Sequence, residues 1–202
     1  MNTILFVCVG NSGRNQMAEA YFNRGKSYAN LGIYDKAIDD FNKAIRFNHK
    51  IAGANYNSGL AYLKLNKPGE AKKYLTNCIK YDSESEHTAS AYYLLGIMEM
   101  MQNRNEEAIK YFSNSLKFDA NRADTYYNRG IANGLMNNPQ EAIDDLNTCL
   151  DLGMESADVY FALGVQKISM NNFADGCSNL KTSAEMGNQR AAQMRVQYCK
   201  NY

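Results

Sequence analysis

Proline is almost absent from the chain. Only Pro68 and Pro139 occur, each just ahead of an apolar-periodic stretch, where a fixed φ and a missing N–H suit the first turn of a helix. Little therefore interrupts long helices. An excess of one charge is also missing: 22 lysines and arginines face 21 acidic residues, a balance with no electrostatic footprint for nucleic acid or an anionic membrane. Neither is expected as a partner. The apolar run near the amino end, Ile4 to Val9, is too short to span a bilayer, and no basic residue precedes it as a signal peptide requires. No C-x-x-C pair occurs among Cys8, Cys78, Cys149, Cys177 and Cys199. An odd, widely spaced set reads neither as a zinc site nor as a disulfide framework, and it fits a reducing, cytoplasmic compartment. His49 and His87 stand apart from any cysteine or carboxylate cluster, so no metal and no cofactor is expected.

What the chain does have is a period. Gly25, Gly59, Gly96, Gly130 and Gly164 are separated by 34, 37, 34 and 34 residues. A second series, Ala37, Ala71, Ala108, Ala142 and Gly176, follows each glycine by twelve. Each period holds two apolar stripes at helical spacing, such as Tyr21, Tyr28 and Leu31, then Ala37, Ile38, Phe41 and Ile45, divided by a polar turn at Gly32 to Asp35. That is a helix hairpin. Small residues recurring at one offset mark where its two helices cross closely, and glycine there costs roughly 1 kcal/mol of helix propensity that only packing can offset.

These marks resemble the tetratricopeptide-repeat (TPR) consensus of a large residue, Leu-Gly, Tyr, Ala and Phe at set places. The first unit has Tyr21, Gly25, Tyr28, Ala37 and Phe41, and the third Tyr92, Leu95, Gly96, Ala108 and Phe112. The resemblance implies an all-α, right-handed superhelical solenoid of helix hairpins. Its divisions are a non-TPR segment over 1–17, repeats over 18–51, 52–88, 89–122, 123–156 and 157–186, and a capping helix over 187–202. The 37-residue spacing places a three-residue insertion near Ser83 to Thr88, where a longer connecting turn and a local change of pitch are expected.

Residues 3 to 20 do not follow the repeat. They resemble the opening of the low-molecular-weight tyrosine phosphatases and arsenate reductases, in which a strand ends in a C-x5-R loop that holds an oxyanion. The resemblance implies Cys8 as nucleophile and Arg14 as anion clamp. Gly13 and Asn15 depart from that pattern, and neither proline follows an aspartate as the family's general acid would require. A strand and loop without turnover is the expectation, with phosphatase or reductase activity as the alternative function.

The TPR resemblance also implies a concave groove lined by the first helix of each unit. Three residues before the marker glycine stand Phe22, Tyr56, Tyr93, Tyr127 and Phe161; two before it stand Asn23, Asn57, Leu94, Asn128 and Ala162. Aromatics grip apolar side chains at little entropic cost, and carboxamides can both donate to and accept from an extended backbone. The expected function is thus a scaffold that binds a protein or peptide segment, with self-association through the solenoid ends as a further partner mode. The carboxylate-clamp pattern of other TPR proteins does not transfer, since Phe22, Ser90 and Leu94 occupy its places.

Overall fold

The structure, a computed structural model, describes the backbone of residues 2–51, 53–81 and 86–200, and the side chains of these from Ser12 onward, Glu86 excepted. Among the described residues there are eleven helices and no strand. They are α1 (Asn2–Asn30), α2 (Tyr34–Phe47), α3 (Ala54–Lys64), α4 (Pro68–Tyr81), α5 (Glu86–Met100), α6 (Asn105–Phe118), α7 (Ala123–Leu135), α8 (Pro139–Asp151), α9 (Ala157–Ser169), α10 (Phe173–Glu185) and α11 (Gln189–Tyr198). The chain divides into two compact units, Met1–Leu95 and Gly96–Tyr202. In the first, α1 packs on α2, α2 on α3 and α3 on α4; in the second, each helix from α6 to α10 packs on the next.

The glycine series is the seam of these hairpins. A Cβ added at Gly25 would lie 2.7 Å from Phe41 Cε1, one at Gly59 2.8 Å from Leu75 Cγ, one at Gly96 2.5 Å from Phe112 Cε1, and one at Gly164 2.7 Å from Leu180. The partner side chains Phe41, Leu75, Phe112, Leu146 and Leu180 are all fully buried, as are Ala37, Ala71, Ala108 and Ala142. A second small position reinforces the last two hairpins. Cys149 Sγ donates to the carbonyl of Ala123 at 3.2 Å and Ser183 Oγ donates to that of Ala157 at 2.6 Å, so a buried donor on the second helix satisfies a carbonyl at the start of the first. Burial pushes the Cys149 thiol up to about 12.

Turns repeat as strictly as helices. Gly32, Asn66, Asn103, Asn137 and Asn171 all take positive φ, between 55° and 75°, and the next residue donates its N–H to a carbonyl five positions back, as Ile33 does to Tyr28 and Asn172 to Lys167. This left-handed cap closes the first helix of each hairpin, and asparagine tolerates it nearly as well as glycine. Asn188 Oδ1 accepts from Ala191 N at 3.1 Å and so starts α11.

Three expectations are corrected. The amino-terminal segment is not a strand and loop: α1 runs unbroken from Asn2 to Asn30. A lone strand has no partner for its backbone groups, whereas extending an existing helix adds a hydrogen bond per residue without a new nucleus. The insertion does not lengthen a turn over its whole span. Residues 83–85, and with them the expected change of pitch, lie outside the described residues, but Glu86 to Thr88 open α5, so Gly96 stands ten residues into its helix where Gly130 and Gly164 stand seven into theirs. Three residues are nearly one turn, so the added length continues the helix. The cysteines are not all unpaired: Cys177 of α10 and Cys199, just past α11, form a disulfide with Cα atoms 5.6 Å apart. This removes the premise from which a reducing compartment was inferred.

The seam and the disulfide generate separate predictions. Gly96→Ala forces a methyl against the Phe112 ring and should lower stability by about 1–3 kcal/mol. Gly13→Ala, in the same kind of helix but with nothing within 4 Å of the new Cβ, should raise it by about 0.5–1 kcal/mol; urea melts of the two variants check both signs. Replacing Cys177 and Cys199 by serine opens a loop of 22 residues and should cost about 3 kcal/mol, read as faster amide exchange in α11 first, since Ala191 is the one residue buried within that helix.

Candidate functional site

The second helices supply the buried partners of the glycine seam, and the candidate site residues stand on the first helices. In the amino-terminal unit the aromatics at these positions pack on other rings. Phe22 tilts against Phe41 with ring centroids 5.9 Å apart, and Tyr56 stacks on His87 at 5.0 Å and 9°. Phe22 and His87 converge over Gly53, where an added Cβ would lie 2.5 Å from His87 Nε2 and 3.3 Å from Phe22 Cζ, and whose φ of +78° excludes most side chains. Tyr93, on α5, is half-buried and Asn23 is exposed.

In the carboxy-terminal unit the same positions open into a cavity of about 610 Å³. Helix α7 contributes Tyr127, Ile131 and Leu135, α9 contributes Asp158, Phe161, Ala162, Val165 and Gln166, and α11 contributes Arg190. Tyr127 and Phe161 thus line one site, held 34 residues apart in sequence by two successive glycine crossings. Burial, and secondarily the charge of Asp158, raises the Tyr127 hydroxyl above its ordinary value. The floor is apolar, while Asp158, Gln166 and Arg190 add polar groups of both signs. Leu135 is 65% exposed.

The asparagine row is tied to its own helices. Asn57 Nδ2 donates to the carbonyl of Gly53 and Asn128 Nδ2 to that of Asp124, each at 2.7 Å. Each carboxamide therefore has one donor engaged four residues back, which fixes its rotamer. The side chain of Cys8 lies outside the described residues. Arg14 is exposed on α1 and lines a different cavity with Lys43 and Arg46. Since backbone N–H groups within a helix bond to carbonyls four residues earlier, the helical stretch from Cys8 to Arg14 offers no nest for an oxyanion.

Models of the tetratricopeptide repeat match residues 18–51, 56–124 and 123–152. The chain is a tetratricopeptide-repeat protein. Beyond the last match, α9 and α10 repeat the hairpin with the same glycine crossing. Solved structures with the same fold include MamA, 20% identical over 91% of this chain and 96% of that one at a TM-score of 0.73. YrrB, described as a TPR protein with an unusual peptide-binding site, is 17% identical over 88% of this chain and 90% of its own, with a TM-score of 0.75. PilF of Pseudomonas aeruginosa is 19% identical over 93% and 85%, with a TM-score of 0.72. At such identities the likeness establishes the fold. No curated protein matches the chain.

Within the TPR hairpins, sequence reasoning missed a recurrent ion pair that sets the rotation of the first helix. Arg24 donates through Nε and Nη2 to both oxygens of Asp40, at 2.6 and 2.8 Å. Arg129 does the same to Asp145, at 2.9 and 2.7 Å, and also donates to Ser113 Oγ at 3.0 Å. In both cases the arginine stands one before the marker glycine and the aspartate three after the marker alanine. The repeated Asn-Arg-Gly and Asp-Asp strings were the available signal. Each guanidinium also covers an aromatic ring, Tyr21 at 5.3 Å and Tyr126 at 5.5 Å. Among the groove residues, Val165, Gln166 and Leu135 were missed because they follow the glycine, while only the positions before it were read.

The Arg24–Asp40 pair has a pH signature. The guanidinium beside it holds the buried Asp40 carboxyl below its ordinary value, so the folded state binds that proton less readily than the unfolded chain. The pair's stabilisation is full above the unfolded value, near 4, and is lost as pH falls toward the folded one. Asp40→Asn should therefore lower the melting temperature at pH 7, and the gap from the wild type should narrow steadily as melts are repeated below about pH 4.

Proposed function

We propose that this TPR protein is an interaction scaffold that holds a segment of a partner protein against the first helices of its carboxy-terminal unit. The observation that carries this reading is the cavity in which Tyr127 and Phe161 stand together on an apolar floor. Its size and lining suit one or two large apolar side chains of a peptide, with Asp158 and Arg190 available to polar groups beside them. The peptide-binding site ascribed to YrrB, a neighbour in fold, supports a ligand of this kind. The aromatics of the amino-terminal unit are less suited to the task, because Phe22 and Tyr56 already have ring partners.

Tyr127→Ala and Phe161→Ala test the groove. As anchors, each should cost about 1–3 kcal/mol of affinity for partners captured from lysate of the source organism, with little change in melting temperature. As core residues they would instead lower stability by about 3–5 kcal/mol. A folded double variant that captures the same partners at the same yield would exclude this groove as the binding site.

A further inference from the structure

The amino-terminal unit holds a second cavity, of about 510 Å³, between α1 and α2. Arg14, Lys43 and Arg46 line it together with Tyr21 and Phe47, and no acidic residue does so among the described residues. The two rings stack on each other, with centroids 5.7 Å apart and planes within 6°, and Lys43 Nζ lies 5.5 Å from the centroid of Tyr21. The carboxylate that reaches Lys43 is Asp40, at 3.6 Å, and it also accepts from Arg24 through both oxygens, so one carboxylate is shared between two cations. Arg14 and Arg46 form no ion pair among the described residues. In a chain whose net charge is only +1, three cations around one concavity make a local field that an anion would neutralise.

We propose that this cavity binds a phosphate monoester carried on an aromatic ring. Two guanidinium groups can each fork onto phosphoryl oxygens, and a lysine adds a mobile point charge. The stacked pair of Tyr21 and Phe47 offers an apolar wall for the ring that bears the phosphate, and the cavity is larger than a bare phosphate ion fills. The chemistry is shared by a phosphotyrosine side chain and a free aryl phosphate. Only binding is involved: the ester bond stays intact. The site lies in the amino-terminal unit, and nothing in it depends on the groove around Tyr127.

The test is a titration of the full chain, followed by calorimetry and by amide NMR, with phenyl phosphate, inorganic phosphate, phenol and a short peptide bearing one phosphotyrosine. Phenyl phosphate should bind, shift the signals of Tyr21, Lys43 and Phe47, and bind more tightly than inorganic phosphate, with phenol inert. Affinity should fall with added salt and rise as pH is raised through about 6, where the phosphate loses its second proton. Arg14→Gln combined with Arg46→Gln should weaken phenyl phosphate binding roughly ten- to hundredfold. Both arginines are exposed, so the thermal melt should not move. Tighter binding of the peptide than of phenyl phosphate assigns the site to a phosphorylated partner, and equal or weaker binding assigns it to a small ester. Full affinity in the double variant, equal binding of phenol, or shifts confined to other parts of the chain would overturn the proposal.

Discussion

Each hairpin of this protein depends on one close approach, that of a first-helix backbone to a large buried side chain of the second helix. At Gly25, Gly59, Gly96 and Gly164 the space that a Cβ would fill is occupied by a ring or a branched carbon. The contact fixes how far apart the helices sit and how each is rotated about its axis, because only one face of the first helix lacks a side chain at that point. The rest follows. With the glycine turned inward, residues three before it stand about 60° round the first helix, at the side of the crossing, and there Tyr127 and Phe161 share a cavity while still packing on the core.

Helix rotation is then secured by polar contacts that the crossing alone would leave loose. The Arg24–Asp40 and Arg129–Asp145 pairs bridge first and second helix with two hydrogen bonds each, and the buried aspartate makes the geometry selective, since an unpaired charge there would be costly. The left-handed asparagines and glycines end the first helix at a constant distance from the crossing. Hairpins so defined differ mainly on their outward faces, which leaves those faces to carry function.

The two ends of the chain solve different problems. At the carboxy end a short, mostly polar helix, α11, covers the last hairpin and is tied down by the Cys177–Cys199 disulfide; it also brings Arg190 to the groove. A helix that buries so little apolar surface would otherwise be held weakly. At the amino end α1 is much longer than its counterparts, and beside α2 its Arg14 shares a cavity with Lys43 and Arg46. Positive charge gathers at this site because Asp40 is shared between Arg24 and Lys43 and no acidic residue lines the cavity among the described residues.

The fold class was legible in the sequence because TPR packing is periodic and short-ranged: a glycine and an alanine twelve apart identify a hairpin wherever they recur, and the TPR resemblance singled out Tyr127 and Phe161, which line one cavity. Three features were decided only in three dimensions. The stretch Ile4 to Val9 has the apolar content of a buried strand, but with no strand to pair with, its backbone continues the helix it adjoins. Cys177 and Cys199 are unremarkable by spacing, and they meet because α10 and α11 fold back on each other. Arg14 was read with Cys8, six residues away along the chain, yet the groups that share its cavity, Lys43 and Arg46, come from the next helix. Local periodicity determines a repeat; which charges and thiols become neighbours depends on where antiparallel helices bring distant residues together.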